Sequence, residues 1–234
     1  MPLLPAHIED LHPAIWRASQ LGRAAGRTVA TGYADLSAEL PGGGWPCGAL
    51  TEICLQQPGI GEWRLLAPAL SAAGSRPIAV LQPPHELSSA ALAYINLQPE
   101  RVLLVKAAST SDALWSAEQI LKAGTCSALL FWQQHVRADS LRRMQLAAKT
   151  SEALFFMFRP LASAADASPA ELRLTVRPAE SGVSIDVIKR RGPTLGRTLT
   201  IDLRHPPGLL SRHERAHRAR EPVESRGVPD AAFV

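Results

Sequence analysis

Between residues 50 and 160 the chain repeats one alternation: a short run that is apolar at nearly every position, then a longer stretch that is apolar at every third or fourth. The short runs are Leu50–Leu55, Pro77–Gln82, Arg101–Val105, Ser127–Trp132 and Ala153–Phe158, the last closed by Arg159-Pro160. Runs of this length without polar alternation predict strands buried on both faces. The intervening segments Glu62–Ala72, Glu86–Leu97, Ser111–Ala123 and the stretch from Asp139 to Lys149 predict helices. Ser111–Ala123 is the clearest: Ala113, Leu114, Ala117, Ile120 and Leu121 fall at helical spacing, Ser109 to Ser111 offer caps, and Gly124 stops it. Asp139 is the predicted cap of the last helix. Strands joined by helices in this order predict an α/β fold with a mostly parallel central sheet flanked by helices.

The pattern then changes. Leu172–Arg177 and Val183–Ile188 alternate with period two around a short loop, which predicts a half-exposed C-terminal antiparallel hairpin. Leu199–Leu203 adds a candidate strand, and the sequence beyond Pro206-Pro207-Gly208 reads as weak helix or disorder. Upstream, residues 7–22 have helical spacing interrupted by Pro13, Gly22–Gly32 reads as linker, and Glu39–Gly44 reads as a glycine turn. The organisation expected is an N-terminal helical segment and linker over 1–36, a core over 37–203 and a basic flexible tail over 204–234.

Composition, at 46% apolar and 20% charged, is that of a soluble globular chain. No apolar run approaches the ~20 residues a bilayer span needs. The first ten residues lack a basic segment and meet acid early, so no signal peptide is read and a cytoplasmic location is expected, with no membrane contact. Cys47, Cys54 and Cys126 have neither zinc nor redox spacing and are expected to be small buried thiols; no metal and no cofactor are expected. The net charge of +4 is concentrated late in the chain. Lys189-Arg190-Arg191 and Arg197 suit either phosphates or an acidic protein surface. Arg142, Gln145 and Lys149 share one predicted helix face and are further candidate partner or DNA contacts.

The chemistry-bearing stretch is Gln57-Pro58-Gly59-Ile60-Gly61-Glu62-Trp63, which lies between a strand and a helix as a phosphate-cradling P-loop does. A working loop needs a lysine for the β- and γ-phosphates and a hydroxyl for magnesium. Here Glu62 and Trp63 follow the glycines, and a carboxylate at that point repels phosphate. Two further elements of a hydrolysis site are missing. The strand ending at Trp132 runs into Gln133-Gln134 rather than an aspartate, and Pro83-Pro84-His85-Glu86 follows the strand Ile78–Leu81. No catalytic residues are assigned, and ATPase activity is not expected.

The order of segments Leu40–Pro46, Gly59–Glu62, Asp112–Gln119, Leu141–Gln145, Phe158–Leu161 and Lys189–Pro193 resembles the ImuA family, RecA-like and SulA-related proteins of bacterial translesion-synthesis mutagenesis cassettes. The resemblance covers roughly residues 37–203. It implies a RecA-like P-loop NTPase-type fold with a degenerate loop. It also implies a non-catalytic accessory role in SOS-induced mutagenic translesion DNA synthesis. The partners implied are RecA and the polymerase-like ImuB, and through ImuB an error-prone DNA polymerase and the sliding clamp. The basic C-terminal segment is the candidate DNA or ImuB contact. A SulA-type division inhibitor acting on FtsZ shares the Phe158-Arg159-Pro160 step and is the alternative; the length and the added arms favour ImuA.

Overall fold

The computed structural model describes residues 26–192 and 196–203. The helix expected over 7–22 and the tail expected over 204–234 lie outside the described residues. The strands are β1 (Thr28–Ala30), β2 (Gly44–Pro46), β3 (Ala49–Leu55), β4 (Ile78–Leu81), β5 (Val102–Val105), β6 (Ala128–Trp132), β7 (Leu154–Pro160), β8 (Leu172–Ala179), β9 (Gly182–Lys189) and β10 (Thr198–Asp202). The helices are α1 (Ala34–Glu39), α2 (Glu62–Ala72), α3 (Ser89–Tyr94), α4 (Thr110–Ala123) and α5 (Ala138–Lys149).

Eight strands form one sheet in the order β10-β9-β8-β3-β7-β6-β4-β5. All pairings from β5 to β8 are parallel, and β8, β9 and β10 pair antiparallel. This is the mostly parallel α/β sheet that the apolar runs predict. The pleat sends alternate residues to opposite faces. On one face Ile53, Val80, Leu130 and Phe156 pack with Leu65, Leu66 and Leu70 of α2. On the other Leu50, Leu81, Leu129 and Phe155 pack with Ala113, Ala117 and Leu121 of α4 and with Leu141 and Met144 of α5. Both faces of β3, β4, β6 and β7 are covered, which is why these strands show no polar alternation.

Several elements depart from expectation. The predicted hairpin is not half exposed along both arms: β8 lies against β3 and is buried from Leu172 to Val176, so the alternation survives only in β9 and β10. The helix expected over Glu86–Leu97 is the six residues of α3, so Glu86 does not start it. The N-cap residue of α5 is Arg137, which gives no side-chain cap, and Asp139 lies inside the first turn. For α4 the cap is as read: the Ser109 hydroxyl accepts from the Asp112 N–H at 3.1 Å, and Gly124 ends the helix in the left-handed conformation at φ 62°.

The expected linker Gly22–Gly32 contains β1, which pairs antiparallel with β2, Val29 opposite Trp45. Gly44 allows this contact, because a Cβ there would lie 2.2 Å from the Val29 carbonyl oxygen. Gly44→Ala is expected to separate the two strands and to lower stability by about 1–2 kcal/mol, read as an earlier urea midpoint. Trp45, beside this turn, is fully buried and meets Phe156 edge to face at 5.3 Å.

Candidate functional site

The loop between β3 and α2 leaves the C-terminal end of a central parallel strand, the edge where open α/β sheets bind ligands. Gly59 and Gly61 hold φ of 84° and 121°, values that an L side chain rarely adopts. A Cβ on Gly61 would also meet Leu203 Cδ1 at 2.8 Å. These two glycines turn their backbone N–H groups toward one point, and the Glu62 carboxylate occupies it. The Gly59 N–H donates to Glu62 Oε1 at 2.8 Å and to Oε2 at 3.1 Å, and the Gly61 N–H donates to Oε2 at 3.2 Å. Glu62 is 2% exposed. Sequence reading places Glu62 where it repels phosphate. The structure goes further, because the carboxylate takes the amides that a phosphate oxygen would need. Its position at the first turn of α2 also suits the helix dipole. Trp63 packs behind the loop, stacked on Trp132 at 5.7 Å, and Trp132 stacks on Phe158 at 4.2 Å.

Beyond the loop, the ends of β3, β4, β6 and β7 enclose a cavity of about 630 Å³. Its walls carry five carboxamides, Gln56, Gln57, Gln82, Gln133 and Gln134, and no Asp, Glu or Lys. Gln133 follows β6, and its Nε2 approaches Thr110 Oγ1 and the His135 carbonyl at 3.4 Å each. Gln82 holds a positive φ of 53°, uncommon for a side-chain-bearing residue, and its Nε2 donates to the Ala107 carbonyl at 2.9 Å. His85 is exposed and faces the loop: its Nε2 lies 3.6 Å from where a Cβ on Gly59 would sit. Among the described residues no group of three His, Cys, Asp or Glu side chains is placed to hold a metal ion.

Below the cavity lies an ionic cluster that sequence reading missed. Glu52 of β3 is fully buried and accepts from Arg159 Nη1 of β7 at 3.2 Å and from Arg173 Nε of β8 at 2.6 Å. Arg173 also donates to the carbonyls of Ser163 and Asp166, and Arg159 Nη2 donates to the Asp166 carboxylate at 3.2 Å. Arg159 is therefore inside β7 as a core ion, not the residue that ends it. The neighbouring Cys54 thiol is pushed up to about 11, first by burial and then by the Glu52 charge, so it stays protonated and inert. Cys54 and Cys126 are buried as expected, whereas Cys47 is half-buried.

The basic candidates do not form one free patch. Arg190 and Arg197 converge on Glu39, which is 5% exposed; Arg190 donates to its carbonyl and Arg197 Nε to its carboxylate at 3.0 Å. Lys189 Nζ donates to the Ser168 carbonyl at 2.7 Å, and Arg191 Nε lies 3.4 Å from the Glu171 carboxylate. Lys149 and Arg191 line one small cavity of about 250 Å³ at the N-terminal end of β3, away from the Gly59 loop. Arg142 is exposed and lies 3.7 Å from Asp139. Gln145 does not share a wet face with Arg142 and Lys149. It is buried, accepting the Leu50 N–H at 2.8 Å and donating to Glu171 at 3.2 Å.

No described helix is long and apolar enough to cross a membrane. No family model matches the chain, and no curated protein matches it. Among solved structures, SulA from Pseudomonas aeruginosa superposes with a TM-score of 0.40 and 23% sequence identity, over 47% of this chain and 97% of that one.

Proposed function

We propose that this chain is a non-catalytic accessory protein of SOS-induced mutagenic translesion DNA synthesis that binds RecA and an ImuB-type partner, as its resemblance to the ImuA family implies. One observation carries the non-catalytic part: the Glu62 carboxylate holds the Gly59 and Gly61 amides. A loop filled by its own side chain serves as a scaffold rather than a phosphate cradle. The absence of carboxylates from the cavity walls at the sheet's C-terminal edge supports the same reading, since hydrolysis needs a group to hold magnesium and one to orient water.

A docking role needs a surface, and the free edge of the sheet offers one. Among the described residues strand β5 pairs only with β4, and Leu103 at 52% and Leu104 at 42% exposure lie along it. Exposed apolar edge strands accept a partner's strand through backbone hydrogen bonds. The test is association of the purified chain with RecA, ImuB and FtsZ by surface plasmon resonance. Binding to RecA and ImuB is expected. The double variant Leu103→Asp/Leu104→Asp is expected to weaken RecA binding at least tenfold with thermal stability little changed. Binding to FtsZ with none to RecA would replace this reading with that of a division inhibitor.

A further inference from the structure

Helices α4 and α5 lie side by side on one face of the sheet, and their inner residues Ala113, Ala117, Leu141 and Met144 share one core. At the surface Arg143 Nη2 of α5 reaches Glu118 Oε2 of α4 at 3.3 Å, which marks where the two helices meet. Residues three apart on a helix are surface neighbours. Trp115 therefore lies one turn before Glu118, and Leu146 lies one turn after Arg143. Trp115 is 61% exposed and Leu146 is 63% exposed, more than any other large apolar side chain among the described residues. A tryptophan left in water beside an equally exposed leucine marks a contact surface, since Trp and Arg are the residues that anchor interfaces.

The charged neighbours of the two residues have opposite signs. Trp115 sits between Asp112 and Glu118, three positions to either side. Leu146 has Arg142 and Arg143 four and three positions before it and Lys149 three positions after it. Over its length α4 has a net charge of −1, from Asp112 and Glu118 against Lys122. Helix α5 has a net charge of +2, from Arg142, Arg143 and Lys149 against Asp139. Pairing within the chain leaves the cations in water: Lys122 and Arg143 share the one Glu118 carboxylate, Arg142 lies 3.7 Å from Asp139, and all three side chains are more than half exposed. Exposed pairs of this kind contribute little and exchange partners at small cost.

One face thus carries an apolar anchor among acids and an apolar anchor among bases. Such a face is complementary to itself, and a two-fold contact uses each half twice. We propose that the outer face of α4 and α5 binds the same face of a second copy of this chain, each Trp115 against the second copy's Leu146. The two-fold axis passes beside the Glu118–Arg143 pair, midway between the anchors. The helices have 14 and 12 residues, about 21 and 18 Å at the α-helical rise. Side by side they present a face on the order of 20 by 20 Å. A dimer through it buries on the order of 800 Å² from both copies together, the size of a weak, reversible association. The face is separate from the β5 edge, and the inference stands whether or not RecA and ImuB are the protein partners.

The test is sedimentation equilibrium on the full chain alone, loaded from about 1 μM to about 100 μM. A reversible monomer–dimer equilibrium is expected, with a dissociation constant in the micromolar range. Trp115→Ala and Leu146→Ala should each weaken it at least tenfold, as truncation of a central anchor does. Their thermal midpoints should stay unchanged, because both side chains are exposed. Arg142→Glu/Arg143→Glu should also weaken it at least tenfold by setting acid against acid. Leu103→Asp/Leu104→Asp, at the sheet edge, should change it less than twofold. A chain that stays monomeric over the whole range overturns the proposal and leaves the RecA and ImuB measurements untouched. A dimer that Trp115→Ala and Leu146→Ala leave unchanged, or that the sheet-edge variant abolishes, also overturns it.

Discussion

Glu52→Ala is expected to destabilise the fold by about 3–5 kcal/mol, the cost of removing one partner from a buried ion pair. The loss follows from what remains. Arg159 and Arg173 are 4% and 7% exposed at the side chain, and without Glu52 both guanidinium groups stay in the core facing each other across β3. Arg173 keeps its carbonyl acceptors, and Arg159 keeps only the partly exposed Asp166. The register of three central strands is coupled to this cluster, because Glu52 pairs directly with Arg173 across β3 and β8, and Cys54 with Arg159 across β3 and β7. Glu52→Gln keeps the shape and part of the hydrogen bonding, so it should cost less than the alanine variant. Urea unfolding reads both: the midpoint falls while the slope is unchanged. A loss below about 1 kcal/mol for Glu52→Ala would show that the pair contributes little beyond its own desolvation.

The second large effect is at Glu62. Glu62→Ala is expected to cost on the order of 2–3 kcal/mol, because hydrogen bonds to a charged acceptor are stronger than neutral ones and the Gly61 amide left behind is buried. The Gly59 and Gly61 N–H groups lose their acceptor, and the loop loses the contact that fixes its two positive φ values. Amide hydrogen exchange at Gly59 and Gly61 should rise in the variant more than at core positions such as Leu130. Equal protection in both proteins would mean that the loop is held by packing against Leu203 and His85 rather than by the carboxylate.

What the sequence shows of this fold is its local part. Helix α2 runs from Glu62 to Ala72 as its periodicity predicts, and α4 begins at its serine cap and ends at Gly124. Five of the six strands that pair in parallel are legible because each is apolar at nearly every position. The short α3 and the cap of α5 are local misses; the larger misses are non-local. Strand β1 has three residues and exists only because Gly44 lets a second backbone approach it. Arg159 reads as the end of a strand, since its partner Glu52 is 107 positions away. Arg190 and Arg197 read as a free basic run for the same reason, with Glu39 more than 150 positions away. At the site, the order Gly59-Ile60-Gly61-Glu62 is visible in the sequence, but the occupation of the loop amides by Glu62 depends on two glycine φ values that no pattern encodes. A Glu placed directly after a Gly-x-Gly turn at a helix start is the one local signal that hints at it.

The Gly59 and Gly61 amides are held by the chain's own carboxylate, that of Glu62. Proton–nitrogen correlation spectra of the labelled chain test it at the Gly59 and Gly61 amides, recorded for the native protein with and without Mg–ATP and for Glu62→Gln. The account predicts a large displacement of both resonances in Glu62→Gln and none at Gly61 on adding Mg–ATP to the native chain. Resonances unmoved by the substitution, with a saturable shift at Gly61 on adding Mg–ATP, would contradict it.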